Sequence, residues 1–163
     1  MLTVNKGVNI MMMHLVSQYR SITQAVLISL AFAFVLSGCS IQLVSKYDEN
    51  TDKAVTKLQK DFESFFVTVD SQAGLPECKY DNHKKFYQNS KVAISAIDVR
   101  ARALAKNEIT VEQVGLLKDS LGSLEKLHKL GCFTNSQVEN LRGSFNSSIT
   151  AILKLELAKK RGE

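Results

Sequence analysis

The chain has 163 residues, with 21 Lys or Arg against 16 Asp or Glu, and its formal net charge at pH 7 is +5. A chain of this length favours one folded domain. It has no Trp and only one Pro, and its positive and negative charges are interspersed, which argues against a disordered tail and against a nucleic-acid-binding module. We therefore expect no nucleic-acid partner.

The first 38 residues have the pattern of a targeting segment. Residues 25–36 are apolar apart from Ser29, Arg20 precedes them, and no acidic residue occurs before Asp48. A basic n-region followed by an apolar h-region is typical of a secretory signal peptide, and this apolar run is shorter than the about 20 residues that a spanning helix needs. We predict a leader whose start remains open among Met1, Met11, Met12 and Met13.

The four residues that close the apolar run, Leu36-Ser37-Gly38-Cys39, resemble the lipobox of bacterial lipoprotein precursors. This resemblance implies cleavage before Cys39, lipidation of Cys39 and, because Ser40 rather than Asp follows, sorting to the periplasmic face of an outer membrane. Several acyl chains on one residue would anchor the protein essentially permanently. The alternative is a plain signal peptide with an incidental Cys39. We divide the chain into a cleaved signal peptide (1–38), a lipidated tether (39–47) and a helical domain (48–163).

Four amphipathic helices are predicted from apolar residues at steps of three and four. The first has a seam formed by Val55, Leu58, Phe62, Phe65 and Val69. Ser45-x-x-Asp48 is a candidate cap for the start of this helix. We expect Phe66 to lie nearer the margin of the buried face. The second runs from about Asp81 to Lys106, with one face formed by Phe86, Ser90, Ala93, Ile97, Ala101 and Leu104.

Capping-box patterns open the third and fourth helices, at Thr110-x-x-Gln113 and Thr134-x-x-Gln137. The third seam is Val114, Leu117, Leu121, Leu124 and His128, widened by Leu116, Leu127 and Leu130. Gly131 fits the left-handed residue that ends many helices. The fourth seam is Val138, Leu141, Phe145, Ile149, Ile152 and Leu155. Four such helices with short connections predict an all-α fold, an antiparallel up-down-up-down four-helix bundle after a cleaved lipoprotein signal peptide.

Two further cysteines lie in connections that this topology brings to one end of the bundle. Cys78 is in the first connection and Cys132 is in the third. In an exported protein, two thiols within reach of each other are expected to form a disulfide. The alternative is a zinc site formed by Cys78, His83, His128 and Cys132, because two Cys and two His can bind zinc tetrahedrally. We favour the disulfide and predict no cofactor.

Basic residues are concentrated near the ends of the second and fourth helices. These are Arg100, Arg102, Lys106, Lys159, Lys160 and Arg161. Cations at helix C-termini complement the helix dipole, which is the ordinary explanation of such residues. Because this end of the bundle lies beside the tether, the same residues could also face anionic head groups of the membrane.

The sequence carries no catalytic signature that we recognise. No Ser lies in a Gly-x-Ser-x-Gly elbow, and no Cys-x-x-Cys-His haem motif is present. Asp98, Asp119 and Glu125 are candidates for catalytic acid pairs, but charges at this density on helices are nearly always part of solvated faces. We therefore predict that the protein is not an enzyme.

The mature part of the chain resembles a group of small bacterial lipoproteins without an established activity. The resemblance rests on Tyr47-Asp48-x-x-Thr51-Asp52, the pair Cys78 and Cys132, and Leu155-Glu156-Leu157-Ala158-Lys159-Lys160. It implies no chemistry. We expect a lipid-anchored envelope protein that binds an unknown envelope protein or ligand. The alternatives are a small-ligand or metal-binding bundle and an inhibitor or immunity-type lipoprotein.

Overall fold

A computed structural model of the protein describes residues 44–162, so the predicted leader and Cys39 lie outside the described residues. These residues form four α-helices and a short 3-10 helix, and they contain no strand. The helices are α1 (Glu49–Ser71), α2 (Tyr80–Arg102), α3 (Glu108–Leu130) and α4 (Asn135–Arg161), and the 3-10 helix is Pro76–Cys78. The predicted all-α class and four-helix bundle are confirmed.

The helices pack in a ring that follows chain order. Each helix contacts its neighbours in the chain, and α1 also contacts α4. Because the connections are short, consecutive helices run antiparallel. The first and third connections therefore share one end of the bundle, which we call the disulfide end. The segment before α1, the α2–α3 connection and the end of α4 share the other end, which we call the tether end.

One of the predicted helix caps, at Thr134, is confirmed, and those at Ser45 and Thr110 are wrong. Asp48 caps α1 by accepting a hydrogen bond from the Thr51 amide, and Thr134 forms a full capping box with Gln137. Ser45 does not cap α1, because its hydroxyl donates to Asn107 instead. Helix α3 starts at Glu108, so Thr110 lies inside its first turn.

The end of α3 also differs from the prediction. Gly131 has φ 163° and ψ 177°, which is extended backbone and not the left-handed conformation. Any residue can adopt an extended conformation, so this position does not require glycine. In contrast, Gly74 has φ 79° in the turn after α1, where a residue without a side chain avoids a steric cost.

The seam predicted for α1 is confirmed, since all five of its residues are buried. Phe66, which we expected near the margin, is also buried, and that prediction is wrong. The reason is that α1 packs between two helices. Phe66 faces α4, where its ring centroid lies 5.7 Å from that of Phe145, whereas the rings of Phe65 and Phe86 stack at 3.9 Å on the α2 side.

Helix α2 is shorter than predicted, and its buried face is rotated. It ends at Arg102 and not near Lys106. Its buried residues are Tyr87, Ser90, Ile94, Ile97 and Ala101. The predicted face included Phe86, Ala93 and Leu104, which are half-buried. The rotation brings Tyr87 under α3, where its hydroxyl finds a buried partner in His128.

Helix α3 buries its predicted seam, but the residues expected to widen that seam are exposed. Leu116, Leu127 and Leu130 have exposed fractions of 61%, 39% and 85%. Helix α4 also buries its predicted residues, except that Leu141 and Leu155 are only half-buried. Glu156 and Lys159 continue the buried stripe of α4 instead.

Candidate functional site

The segment before α1 is fixed to the α2–α3 connection. The Ser45 amide donates to the Lys106 carbonyl at 2.8 Å, and the Ser45 hydroxyl donates to Asn107 Oδ1 at 2.8 Å. Lys106 has φ 61°, a left-handed conformation that residues with side chains rarely adopt. The first described residues are therefore held at the tether end of the bundle.

A buried ion pair lies next to this point. Lys159 and Glu156 side chains are 2% and 1% exposed, and their charged atoms lie 2.5 Å apart. Lys159 Nζ also donates to Asn107 Oδ1 at 2.6 Å and to Thr110 Oγ1 at 2.8 Å. The three protons of the ammonium group thus each have an acceptor. Glu156 Oε2 is buried without a hydrogen-bond partner within the described part of the chain.

A second ion pair closes the same end between the start of α1 and α2. Arg100 donates to Asp48 through two of its nitrogens, in the paired geometry that guanidinium and carboxylate groups favour. The hydrogen bond from Arg100 holds the pKa of Asp48 well below its usual range, although burial acts in the opposite direction. Asp48 remains ionised and serves as the α1 cap at the same time.

The structure separates the six predicted membrane-facing cations into three kinds. Lys159 is buried with Glu156, so its assignment to a membrane-facing surface is wrong. Arg100 and Arg102 are solvent-accessible but are paired with Asp48 and Asp98, respectively. Lys106, Lys160 and Arg161 are exposed, and Lys160 lies 5.1 Å from the centre of the Tyr47 ring.

Cys78 and Cys132 meet at the disulfide end. Their Cα atoms are 5.5 Å apart and the residues are joined as a disulfide, which links the first and third connections across 54 positions of sequence. This agrees with the predicted bridge. It also engages both sulfur atoms of the alternative zinc site.

His128 lies buried beneath this disulfide. Its Nδ1 is 2.7 Å from the Tyr87 hydroxyl, and its Nε2 is 2.7 Å from the Cys78 carbonyl. Since the carbonyl only accepts, Nε2 carries the proton and Nδ1 accepts from Tyr87. Burial lowers the pKa of His128, and the pKa of His83 is lowered for the same reason.

These contacts leave the two histidines of the alternative zinc site in other roles. His83 Nε2 lies 3.1 Å from Gln72 Oε1, and the rings of His83 and His128 are 5.5 Å apart. Across residues 44–162, no three His, Cys, Asp or Glu side chains are arranged to hold a metal ion.

Glu125 joins α3 to α2 and is not the solvated residue that we predicted. It accepts from the Tyr80 hydroxyl at 2.8 Å and lies 2.5 Å from Lys91 and 3.1 Å from Lys129. The hydrogen bond from Lys91 is the largest influence that lowers its pKa to about 2. Glu125 and His128 have the Glu-x-x-His spacing of metal-binding bundles, but here each binds different protein groups.

A groove of about 400 Å³ lies between α1 and α2. Phe65 and Phe86 form its apolar part, and Lys57 and Asp61 lie at its rim. The hydroxyl of Ser90, which also lines the groove, is buried without a hydrogen-bond partner among the described residues.

The buried polar cluster at the tether end is the feature that sequence reasoning missed. The signal for it was present in α4, where Glu156 and Lys159 follow Ile152 by four and seven residues and therefore lie on its buried face. Asn107 and Thr110, which accept from Lys159, lie at the start of α3. Their pairing with α4 depends on tertiary structure.

None of the helices in the described region has the length and apolarity needed to cross a membrane. Comparison with protein-family models, with curated proteins and with solved structures found no match.

Proposed function

We propose that this protein is a lipid-anchored component of the bacterial cell envelope, attached through Cys39 to the periplasmic face of the outer membrane, where it acts as a non-catalytic interaction module. The observation that carries the proposal is the lipobox-like Leu36-Ser37-Gly38-Cys39, which ends only six residues before Ser45. Ser45 is the first residue with hydrogen bonds to the bundle among those described. The lipid attachment point would therefore be tied closely to the tether end.

The length of the free tether supports this arrangement. Six residues span at most about 20 to 22 Å when fully extended. An acylated Cys39 in the bilayer would keep the α2–α3 connection within that distance of the membrane surface. The disulfide end would point away from the membrane and, with the flanks of the bundle, would be accessible to other envelope proteins.

Exposed cations at the tether end favour the same orientation. Lys106, Lys160 and Arg161 are exposed there. A basic residue near an anionic lipid surface contributes about 1 kcal/mol to membrane attraction. These residues would add to the lipid anchor and orient the domain.

The disulfide supports an exported protein. Disulfides persist in oxidising compartments such as the bacterial periplasm and are rare in the cytosol. The bond between Cys78 and Cys132 therefore agrees with the compartment that the leader predicts.

Metabolic labelling with a fatty acid tests the anchor directly. Wild-type protein should incorporate the label and sediment with membranes, whereas Cys39→Ser should remain unlabelled and accumulate as precursor or as soluble periplasmic protein. Wild-type protein that takes up no label would refute the proposal. A Ser40→Asp variant tests the sorting, since we expect it to move from outer-membrane to inner-membrane fractions.

Recovery of cross-linked partners tests the interaction role. Lipidated protein should be treated with a cross-linker in intact cells and purified under denaturing conditions. Specific envelope proteins that are recovered with wild type and lost when the lipid is removed would support a membrane-associated interaction module. If no exposed face of this protein forms a specific cross-linked product, the proposed interaction role is contradicted.

A further inference from the structure

His128 is buried at the disulfide end of the bundle, although it lies in the last turn of α3. Its exposed fraction is 1%, and α3 ends at Leu130. Two connecting segments contact it there. Cys78 belongs to the first connection (residues 72–79), and Phe133, whose ring centroid lies 4.6 Å from that of the imidazole, belongs to the third. Because connecting segments cover His128, their movement alone can expose it to water.

The hydrogen bonds of His128 require a neutral imidazole. The Cys78 carbonyl, 2.7 Å from Nε2, accepts the proton of the ring, and the Tyr87 hydroxyl, 2.7 Å from Nδ1, donates to the ring. A second proton would bind at Nδ1 and reverse the hydrogen bond with Tyr87. The Tyr87 hydroxyl has no other hydrogen-bond partner within residues 44–162, so its own proton would then lack an acceptor.

Aromatic rings surround His128 and provide no negative charge. They come from α1, α2 and the third connection, and their centroids lie 4.6 to 6.0 Å from that of His128: Phe65, Tyr80, His83, Tyr87 and Phe133. Burial raises the pKa of the Tyr87 hydroxyl, so this group stays neutral. A charge on His128 would therefore be buried among neutral rings, which is unfavourable without a counter-ion.

No charged group in the described part of the chain is placed to be that counter-ion. Glu125, one turn before His128 on α3, pairs with Lys91 and Lys129. Within residues 44–162, no Asp or Glu forms an ion pair with His128. Charged residues of every segment at this end are exposed, among them Asp70, Glu77, Lys79, Asp81, Lys126 and Glu139.

A second histidine holds the first connection from α2. His83 Nε2 lies 3.1 Å from Gln72 Oε1, and the Glu77 backbone forms a further hydrogen bond with the His83 side chain. The rings of His83 and His128 are 5.5 Å apart. The two rings therefore cannot both be charged without repulsion across this end of the bundle.

We propose that protonation of His128 releases the first connection from α3, which makes the disulfide end of the bundle an acid-sensitive switch. In the closed form, neutral His128 binds the Cys78 carbonyl. In the open form, the charged ring would lie in water near the C-terminus of α3, where the helix dipole favours a cation.

The direction of the switch follows from the difference between the two forms. Burial lowers the pKa of His128 in the closed form, so a proton binds preferentially to the open form. The closed form is therefore favoured above the ordinary histidine pKa of 6.5 and loses stability as the pH falls below it. This range lies above the one in which Glu125 is protonated.

The disulfide limits how far the first connection moves. Cys78 stays joined to Cys132 when the hydrogen bond from His128 is lost. The first connection therefore remains beside the end of α3. An opening of this kind is local and reversible and leaves the packing of the four helices in place.

The consequence for partner binding rests on the proposed function. With Cys39 anchored in the membrane, the disulfide end would face other envelope proteins. A surface that changes with the charge of a histidine makes binding depend on pH, as in other pH-sensitive interfaces. The opening itself does not depend on the anchor.

Hydrogen–deuterium exchange of the full chain, purified in a neutral detergent, tests the opening. Amide exchange is compared at about pH 7.5 and about pH 5 after correction for the intrinsic pH dependence of exchange. We expect residues 72–79, in which the Leu75 and Cys78 amides are hydrogen-bonded, to lose at least tenfold of their protection at the lower pH and to regain it on return. Residues 145–152 of α4 should not change. Unchanged protection of residues 72–79, or equal loss in both segments, would overturn the proposal.

Two matched variants assign the sensor. His128→Gln keeps a donor for the Cys78 carbonyl and does not titrate, so we expect the acid response of residues 72–79 to disappear. His83→Gln removes the half-buried neighbour and should retain the response. A response that persists in His128→Gln and disappears in His83→Gln would overturn the assignment to His128.

A nitrogen NMR titration of the histidine rings in wild type keeps the test independent of variant folding. At neutral pH, His128 should carry its proton on Nε2 alone. We expect the second proton to bind with the same midpoint as the loss of protection in residues 72–79, below pH 6.5. A His128 that becomes charged while residues 72–79 stay protected would refute the switch.

The acid response and the anchor are measured separately. Fatty-acid labelling reports on Cys39, and exchange in residues 72–79 reports on His128. A labelled protein without the acid response would refute the switch and keep the anchor. An unlabelled protein that still shows the response would refute the anchor and keep the switch.

Discussion

Lys159 Nζ and Asn107 Oδ1 lie 2.6 Å apart, and this hydrogen bond joins the last turns of α4 to the connection between α2 and α3. The same oxygen accepts from the Ser45 hydroxyl at 2.8 Å. One amide oxygen therefore links three separate segments at the tether end. Because the groups are buried, each depends on the others for its hydrogen bonds, and the removal of one leaves polar atoms unsatisfied.

We expect Lys159→Ala to lower the free energy of unfolding by about 3–5 kcal/mol, since it leaves the Glu156 carboxylate buried without its counter-ion. Urea denaturation monitored by circular dichroism measures the change. Lys154→Ala on the exposed side of the same helix is the control and should change stability by no more than about 0.5 kcal/mol.

The double variant Glu156→Leu/Lys159→Met distinguishes an electrostatic effect from a packing effect. Replacing both charges by apolar groups of similar volume leaves no unpaired buried charge, although the buried Thr110 hydroxyl loses Glu156 and Lys159 as partners, so we expect the double variant to be more stable than Lys159→Ala. If the double variant were as unstable as Lys159→Ala, the loss would come from packing and the interpretation of the ion pair would be wrong.

The disulfide predicts a second stability change. We expect Cys132→Ala to fold and to lose about 2–4 kcal/mol, because the bond restricts a long loop in the unfolded chain. Urea midpoints should fall for wild type when a reductant is added, whereas the variant should show no such shift. A peptide map of exported protein in which both thiols are alkylated without reduction would contradict the bridge.

Phe62 should be a major contributor to the core. Its side chain is fully buried, and its ring lies 4.7 Å from that of Phe145. We expect Phe62→Ala to cost about 3–5 kcal/mol, as truncations of core aromatic residues do. Val67→Ala on the exposed side of α1 is the control and should have little effect. An unchanged melting temperature for Phe62→Ala would mean that the helix register is different.

Glu125 should make stability depend on acid pH. Its pKa falls from an ordinary value of 4.5 to about 2 in the folded protein, mainly through the hydrogen bond from Lys91. As the pH drops, Glu125 therefore binds a proton in the unfolded chain at a higher pH than in the folded protein. The stabilisation that Glu125 provides above pH 4.5 is lost between pH 4.5 and about 2. Denaturation across this range should show a smaller pH slope for Glu125→Gln than for wild type. Equal slopes would exclude Glu125 as a contributor.

The proposed anchor predicts which end of the bundle lies near the lipid. Spin labels placed one at a time at Asn82, near the disulfide end, and at Lys160, near the tether end, should differ in their contact with lipid-soluble relaxation agents. We expect the stronger contact at Lys160. A stronger contact at Asn82 would refute the orientation.

The amino-acid sequence by itself determined the number of helices and the seam of α1. Both depend on local periodicity, because residues three and four apart lie on one side of a helix whatever it packs against. The disulfide was also accessible from the sequence, since up-down-up-down topology places the first and third connections at one end. The capping box at Thr134 depends only on four consecutive residues.

Tertiary structure decided which of two apolar sides of α3 is covered. Leu116 and Leu117 are adjacent in sequence and equally apolar, yet only Leu117 is buried, because the positions of α2 and α4 select its side of the helix. The same applies to Lys159. Its position on the buried stripe is local, but its partners Asn107 and Thr110 come from a distant part of the chain. A cation can be buried only where such acceptors converge, and that convergence exists only in the folded bundle.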